Sequence, residues 1–273
     1  MNFEKMDARG KKYLIDKFYV ICKKCNLIYT NPTVKPAVYD KIYENTIIGS
    51  FRNIKKTKSN LKKLNYFTEL VSANIIKNKK ILDVGCGQGQ LLQNIKRKFN
   101  IPLKNIFAIE PSKKIFNYLK KTTNINVKNT FLDKLKNNEK YDFLILDNVF
   151  EHFDYPKKSL KKISNILTEN GYVYVSLPNA LNPHFEYEDP LNHTCNYYRN
   201  NIKELFFKNN FKILKLVERD TLINFLAKKE RVNLQNIKFE NDKKKFKNLQ
   251  KKIIKNKIQS QKQTKVIKKT GFY

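Results

Sequence analysis

The sequence contains no tryptophan, only four cysteines and seven glycines, and no long apolar run. A transmembrane helix needs about 20 consecutive apolar residues, and no run approaches that length. The N-terminal stretch MNFEKMDARGKKYLID is charged and lacks the apolar core of a signal peptide, so we expect no secretion by that route. Four unevenly spaced cysteines are too few for a disulfide framework. These absences favour a reducing, cytoplasmic location.

Acidic residues are also scarce, with 24 Asp and Glu against 56 Lys and Arg, and the formal net charge is +32. Clustered basic residues are typical of nucleic-acid binding, because they release counterions from phosphates. A genome rich in A and T would, however, raise Lys, Asn and Ile throughout the chain. The segment 243–273 has 12 Lys and no acidic residue. We favour the compositional explanation and expect no nucleic-acid partner, while the basic tail keeps RNA binding open as an alternative.

From residue 79 onwards, apolar runs alternate with amphipathic segments. Four runs are apolar on both faces, as in buried parallel strands: KKILDVG, NIFAIEP, YDFLILDNV and GYVYVSLP. A weaker strand, INVKNTFLD, lies between the second and third. The segments QLLQNIKRKF, KKIFNYLKK and PKKSLKKISNIL predict helices, the last of them ending at Gly171. FKILKLVERD and TLINFLAKK predict a closing antiparallel pair, so the fold class is α/β with a doubly wound, seven-stranded, mostly parallel sheet.

The pattern divides the chain into three parts. Residues 1–50 predict a small N-terminal element with a C-x-x-C hairpin. Residues 51–230 predict the α/β domain, and its helical lead-in, NLKKLNYFTELVSANII, is placed to cover a ligand. Residues 231–273 form a Lys-rich tail, for which both a solvated helix and disorder stay open.

The segment ILDVGCGQGQ, residues 81–90, holds three of the seven glycines. It has neither the G-x-G-x-x-G spacing of a dinucleotide site nor the G-x-x-x-x-G-K-[ST] spacing of a phosphate loop. Asp83 at the end of the strand would repel a pyrophosphate and attract a cationic amino group. Glu110, at the end of the next strand, is placed to accept both ribose hydroxyls. This combination indicates a nucleoside that carries an amino acid, namely S-adenosylmethionine (SAM).

Four motifs resemble, in order and spacing, those of the class I SAM-dependent methyltransferases: ILDVGCGQGQLL, AIEPS, YDFLILDNVFEHFDYP and LTENGYVYVSLPN. The resemblance covers about residues 66–228. It implies a methionine side at the glycine turn, the ribose at Glu110 and the adenine near Asp133, with the end of the fourth strand closing the pocket. The residues that it assigns to the cofactor are Asp83, Gly85, Cys86, Gly87, Gly89, Glu110, Asp133, Asn148, Val149 and Phe150.

The motif content also bears on the methyl acceptor. Methyltransferases that act on nucleobase or glutamine nitrogens commonly carry Pro-Pro-Tyr-like residues after the fourth strand, where this chain has DNVF. The nucleophilic cysteine that a cytosine-C5 enzyme needs in that region is absent from the sequence there. A small-molecule or sugar acceptor remains, together with RNA methylation of another kind. Transfer to a hydroxyl would also require removal of a proton.

All three histidines follow the fourth or fifth strand, at the rim where the methyl group must emerge: His152, His184 and His193. Related enzymes have an acidic–His–aromatic run where this chain has DPLNHTCNYY. By that resemblance His193 is the candidate general base, and Tyr187, Glu188 and Asp189 would orient a polyol. His152, in the family's EH segment, would position the cofactor or the acceptor. The alternative that the acidic loop is merely solvated stays open.

Cys22 and Cys25 form a C-x-x-C pair between two apolar segments in YVICKKCNLIYTNP, a spacing typical of a zinc knuckle. The pair resembles the second half of an N-terminal zinc module found on a branch of these methyltransferases, many of them encoded with bacterial surface-sugar biosynthesis. In that branch an earlier C-x-x-C completes the site, but residues 1–21 contain no Cys or His. A closed site would need Cys195, His193 or a partner chain. We therefore assign no metal ligands, and zinc at Cys22 and Cys25 is the less favoured alternative.

The combined interpretation is a cytoplasmic SAM-dependent methyltransferase that acts on a hydroxyl of a sugar or sugar nucleotide in bacterial surface-polysaccharide biosynthesis. The link to polysaccharides comes from the resemblance alone. Two alternatives stay open. One is an RNA methyltransferase anchored by the basic tail, and the other is a non-catalytic SAM-binding partner subunit.

Overall fold

The structure is a computed structural model that describes residues 2–6, 12–16, 19–22, 25, 27–31, 58–181, 193–219, 221–232 and 251. Its strands are β1 Asn2–Met6, β2 Lys12–Asp16, β3 Tyr19–Ile21, β4 Ile28–Thr30, β5 Ile81–Val84, β6 Ile106–Ile109, β7 Asn126–Lys128, β8 Tyr141–Asp147, β9 Leu167–Pro178, β10 Cys195–Asn196, β11 Phe211–Glu218 and β12 Leu222–Lys229. Its α-helices are α1 Lys58–Leu70, α2 Ala73–Ile76, α3 Gln90–Lys98, α4 Lys113–Thr122, α5 Pro156–Ile166 and α6 Arg199–Phe207.

A seven-stranded sheet dominates the fold, with the strand order β11-β12-β9-β8-β5-β6-β7. The five strands from β7 to β9 in this order run parallel to one another. β12 pairs antiparallel with both β9 and β11. The predicted α/β class, the five parallel strands and the closing antiparallel pair are therefore confirmed. The strand order reverses at β5, and in open parallel sheets this switch point is where ligands bind.

The central strands are buried on both faces, which explains their continuous apolar sequence. Along β5, Ile81 packs into one hydrophobic cluster and Leu82 into the other, on the opposite face of the sheet. Phe143 and Leu144 of β8 divide between the two clusters in the same way. This period of two fixes the register, because a slip by one residue would exchange the two faces. Both faces of the sheet are covered, as a doubly wound fold requires.

The prediction that Gly171 ends the helix after β8 was wrong. That helix, α5, begins at Pro156 and ends at Ile166, and β9 starts at the next residue. β9 pairs with β8 through Leu167 and then shifts register. Asn170, with a φ of 58°, turns the chain within this irregularity. Gly171 lies inside β9, where a Cβ would lie 2.9 Å from Cδ2 of Leu167. Glycine is therefore needed here for close packing and does not end a helix.

The N-terminal strands form two small sheets. β1 pairs antiparallel with β2. β3 and β4 pair antiparallel on either side of Cys22 and Cys25, and β10 joins β4, with Cys195 opposite Tyr29. Thr30 extends this contact by donating its N–H to the carbonyl of Thr194 at 3.0 Å. The short strand β10, which the sequence did not predict, thus ties the cysteine segment to the chain just before α6.

The predicted helical lead-in, NLKKLNYFTELVSANII, contains two helices, α1 and α2, which are separated at Val71 and Ser72. Phe67 of α1 is completely buried, and its ring lies 4.8 Å from that of Tyr174 in β9. No helix in the described part of the chain is both long and apolar enough to cross a membrane.

Candidate functional site

The glycine turn connects β5 to α3 at the switch point of the sheet. Gly85, Gly87 and Gly89 have φ angles of 64°, 53° and 71°, a left-handed conformation that is costly for residues with a side chain. The amides of Gly85 and Cys86 donate to the carbonyl of Ile109 at 2.9 and 3.2 Å. The turn is thereby fastened to the end of β6. The sequence therefore needs glycine here for backbone conformation, beyond any contact with a ligand.

We expect Gly85→Ala to destabilise the fold more than Gly87→Ala. Both substitutions place a side chain at positive φ, at a cost of about 1–2 kcal/mol. At Gly85 the new Cβ would also lie 3.0 Å from Cγ2 of Val149, whereas nothing lies within 4 Å at Gly87. Urea unfolding of the two variants and of Gly85→Ala/Val149→Ala would measure the difference. Equal losses at the two glycines, or no relief in the double variant, would contradict this geometry.

Glu110 follows β6 and faces the glycine turn. Its Oε2 accepts the N–H of Gly87 at 2.9 Å, and its Oε1 accepts the N–H of Ser112 at 2.8 Å. The residue is 5% exposed. Burial raises the pKa of this carboxyl, and the two backbone donors lower it in part. Each oxygen keeps a second lone pair, so the carboxylate that orders the turn is still able to accept ligand hydroxyls.

Asp83 is buried in β5, and other charged groups surround it. Asp147, at the end of the neighbouring strand β8, forms an ion pair with Lys63 of α1 at 2.6 Å between Nζ and Oδ2. Burial is the largest cause of the raised pKa of Asp83, followed by repulsion from Asp147, while Lys63 lowers it and Glu110 raises it. Three carboxyls and one ammonium thus meet at the ends of three adjacent strands. This arrangement favours a cationic ligand.

Sequence reasoning missed Lys63 and Asp147. The sequence could have indicated Asp147, because it follows the apolar residues of YDFLILDNV just as Asp83 follows those of KKILDVG. No sequence pattern indicates Lys63, because its position depends on how α1 packs against the sheet. Arg219, in the connection between β11 and β12, forms an ion pair with Glu69 of α1 and lies 4.0 Å from the ring centre of Tyr66. These contacts hold α1 against the sheet and place Lys63 at the site.

The residues after β8 divide between the site and the core. Asn148 has a φ of 54° and donates its N–H to the backbone carbonyl of Ser176 at 2.8 Å. Val149 borders the glycine turn, because its Cγ2 lies 3.0 Å from the position that a Cβ on Gly85 would occupy. Phe150 is fully buried, and its ring lies 5.3 Å from that of Tyr197. The side chain of Phe150 therefore belongs to the core, and only its neighbours border the turn.

Two further predicted cofactor residues lie at the margins. Cys86 is half-buried in the glycine turn, and burial raises the pKa of its thiol well above the usual value. A thiol held in its neutral form suits a packing role better than a nucleophilic one. Asp133 is exposed in a short 3₁₀ turn, Leu132–Lys134, that follows β7. It lies at the same edge of the sheet as the ends of the parallel strands.

The structure brings His152 and His193 together, although they are far apart in sequence. Their ring centres are 4.7 Å apart. Glu151 lies beside them, and the sequence interpretation did not single it out although it precedes His152 directly. It is 2% exposed, and its Oε1 is 4.0 Å from Nε2 of His193. The carbonyl of Glu151 accepts the N–H and the hydroxyl of Thr194, at 3.0 and 3.3 Å, which holds the two segments together.

Several predicted features fall outside the described residues. They include the polyol-orienting residues Tyr187, Glu188 and Asp189, together with His184, and most of the tail 231–273. The cysteine pair is described in part: the thiols of Cys22 and Cys25 interact with each other. Within the described ranges, one group of three or more potential metal ligands occurs, and it consists of Glu151, His152 and His193.

Comparisons with known proteins agree with this geometry. A family model described as a methyltransferase domain matches residues 54–216. Among curated protein sequences, none matches the chain. A putative SAM-dependent methyltransferase from Listeria monocytogenes has a similar structure, with a TM-score of 0.52 and 12% identity over 63% of this chain and 99% of that one.

Two other solved structures are similar to the same extent. The PH0226 protein from Pyrococcus horikoshii has a TM-score of 0.52 and 14% identity, covering 64% of this chain and 93% of that one. The plantazolicin methyltransferase BpumL, in complex with SAH and a pentazolic desmethylPZN analog, has a TM-score of 0.51 and 16% identity, covering 63% and 85%. At such identities the structural likeness establishes a shared fold.

Proposed function

The chain belongs to the methyltransferase-domain family, and we propose that it transfers the methyl group of SAM to a hydroxyl group of a sugar or sugar nucleotide. We place this reaction in the cytoplasm, as a step of bacterial surface-polysaccharide biosynthesis. The sequence resemblance and the EH segment after β8 support the acceptor class. The two histidines at the buried carboxylate Glu151 are the observation that carries it, because an acceptor hydroxyl must lose a proton.

The arrangement at the glycine turn supports a defined orientation of SAM. The cationic methionine amino group would lie at Asp83, where the surrounding carboxyls outnumber the ammonium of Lys63. The ribose hydroxyls would bind Glu110, whose oxygens are already fixed by backbone donors. The adenine would then extend towards the end of β7 and Asp133. In this orientation the residues that follow β8, among them Asn148, would border the methyl group that is transferred.

The acceptor side would act through His193 and His152. Methyl transfer is a direct displacement in which the acceptor oxygen attacks the methyl carbon and the sulfur keeps the electron pair of the broken bond. His193 would take the hydroxyl proton, and the nearby carboxylate of Glu151 would stabilise the imidazolium that results. His152, whose ring adjoins that of His193, would orient the acceptor. The half-buried positions of both rings leave them reachable from solvent.

The variant His193→Ala tests this role. We expect turnover to fall by about 10²- to 10⁴-fold, the usual contribution of a general base, while the SAM affinity stays within about twofold. Tyr155→Ala is a suitable control, because it removes an exposed ring from the same segment as His152. Turnover would be measured with labelled SAM on a panel of sugar nucleotides, and SAM binding by calorimetry. Unchanged turnover in His193→Ala would exclude it from the mechanism.

A further inference from the structure

We propose that Glu151, His152 and His193 form a binding site for one divalent transition-metal ion, and that this ion holds two neighbouring hydroxyls of the acceptor. The inference rests on the proposed function, and it specifies the acceptor further, as a hydroxyl that belongs to a vicinal diol. The three residues offer one carboxylate oxygen and two imidazole nitrogens, and these atoms all lie within 4.8 Å of one another.

The spacing of the three ligand atoms suits an ion between them. Bonds of about 2.0–2.2 Å from a metal to nitrogen and oxygen separate neighbouring ligands by roughly 2.8–3.6 Å, from octahedral to tetrahedral geometry. Oε1 of Glu151 and Nε2 of His193 are 4.0 Å apart, which is too far for a hydrogen bond. Side-chain rotations that move each atom by less than about 1 Å would close the site around a metal. The protein thus holds the ligands near the required geometry.

The backbone fixes two of these ligands in place. Thr194, next to His193, donates both its N–H and its hydroxyl to the carbonyl of Glu151. His152 donates its N–H to the carbonyl of Val149 at 3.0 Å, which shapes the turn that carries both Glu151 and His152. The ligands therefore come from two segments that are joined by hydrogen bonds. Such prior ordering is what a metal site needs for affinity.

The ligand set selects the class of metal and leaves room for the acceptor. Two imidazoles with one carboxylate suit Mn²⁺, Fe²⁺, Co²⁺ or Zn²⁺ better than Mg²⁺ or Ca²⁺, which prefer oxygen ligands. Three protein ligands leave coordination positions open, as in catalytic metal sites. Two adjacent hydroxyls of a sugar fill such positions as a chelate. Glu151 is 2% exposed, which distinguishes this group from the exposed acidic clusters common on protein surfaces.

The ion would change how the acceptor loses its proton. A metal-bound hydroxyl is more acidic, so its proton passes to solvent water. The resulting oxygen forms the new bond to the methyl carbon, and the carbon–sulfur bond of SAM breaks with its electron pair on sulfur. With the ion bound, the ring nitrogen of His193 would be a metal ligand and not the general base assigned above for the metal-free enzyme, and the greater acidity of the bound hydroxyl would take over that role.

Binding of Mn²⁺ to the full-length, chelator-treated protein tests the site directly. Electron paramagnetic resonance of free Mn²⁺ should give one bound ion per chain. Glu151→Gln, His152→Gln and His193→Gln should each weaken binding at least about tenfold. The matched control is Glu169→Gln, which changes a glutamate whose side chain is 84% exposed and should leave Mn²⁺ affinity unchanged. Because the two histidines are only half-buried, their variants keep the test decisive if Glu151→Gln fails to fold.

Co²⁺ distinguishes this site from the cysteine pair. Cobalt on Glu151, His152 and His193 should show d–d absorption without the thiolate charge-transfer bands that Cys22 and Cys25 would produce. Absence of Mn²⁺ binding, thiolate bands alone, or affinity unchanged in all three variants would overturn the proposal. SAM titration of the same samples separates the two proposals. SAM binding without metal binding overturns only the ion site, whereas an ion bound at this trio in a protein that refuses SAM overturns the proposed reaction.

Discussion

Replacing Asp83 with asparagine is expected to stabilise the ligand-free protein and to abolish useful SAM binding. Asp83 is buried, and the pKa of its carboxyl is raised by burial and by the neighbouring Asp147. Its ionised form therefore opposes folding in the absence of a ligand. Asparagine keeps the shape and removes the charge, so we expect Tm to rise by a few degrees at pH 8. The loss of a buried charge partner should weaken SAM binding by about 100-fold or more.

The stabilisation should depend on pH in a defined direction. A carboxyl whose pKa is higher in the folded than in the unfolded state contributes stability below its unfolded value of about 3.9, and this contribution is lost as the pH rises through the folded value. The Tm of Asp83→Asn should therefore match that of the wild type near pH 4 and exceed it increasingly at higher pH. Differential scanning fluorimetry across pH 4–9, with and without SAM, measures both effects. A lower Tm at pH 8 together with an intact SAM response would contradict the account.

Replacing Glu110 with alanine is expected to produce the second large effect, with the opposite sign on stability. The variant loses the acceptor for the ribose hydroxyls, and each hydrogen bond to a charged group is worth about 1.5–3 kcal/mol. Two such bonds correspond to a loss of SAM affinity of at least about 100-fold. The same change removes the partner of the Gly87 and Ser112 amides. The glycine turn should loosen, so the ligand-free protein should be destabilised by about 1–3 kcal/mol.

Glu110→Gln separates the two contributions. The amide oxygen keeps one backbone donor, while the NH₂ group faces the other donor, so we expect an intermediate loss of stability. Calorimetry would measure the SAM affinity of both variants, and urea unfolding their stability. Glu169→Gln serves as the control, because that side chain is 84% exposed. A stable Glu110→Ala protein with normal SAM affinity would show that this carboxylate neither orders the turn nor binds the ribose.

The sequence was a good guide where the signal was local. The apolar runs around Ile81 and Phe143 predicted buried parallel strands, because strands covered on both faces need apolar residues at every position. Gly85 and Gly87 have positive φ angles, which glycine adopts at little cost, but glycine content alone does not predict this conformation. Gly171 led to a wrong helix end, because glycine is common after helices but is also found where a strand packs too closely for a side chain.

Apart from Asp147, the missed features depend on contacts between distant segments. Lys63 reaches Asp147 only because α1 is held against the sheet, and no pattern within α1 predicts that. Glu151 and His193 are joined through the Thr194 hydrogen bonds, which have no counterpart in local sequence. The pairing of β10 with β4 joins two strands of two and three residues, too short for any periodicity. The domain boundaries near residues 50 and 230 stay predictions.

Native mass spectrometry of the freshly purified protein shows directly whether the glycine turn binds SAM. We expect part of the protein to carry an added mass equal to SAM or its demethylated product, and added SAM to fill the remainder. Asp83→Asn and Glu110→Ala, measured beside it, should stay bare under the same conditions. A wild-type protein that is purified bare and takes up no added SAM would contradict the cofactor assignment and every role assigned around the glycine turn.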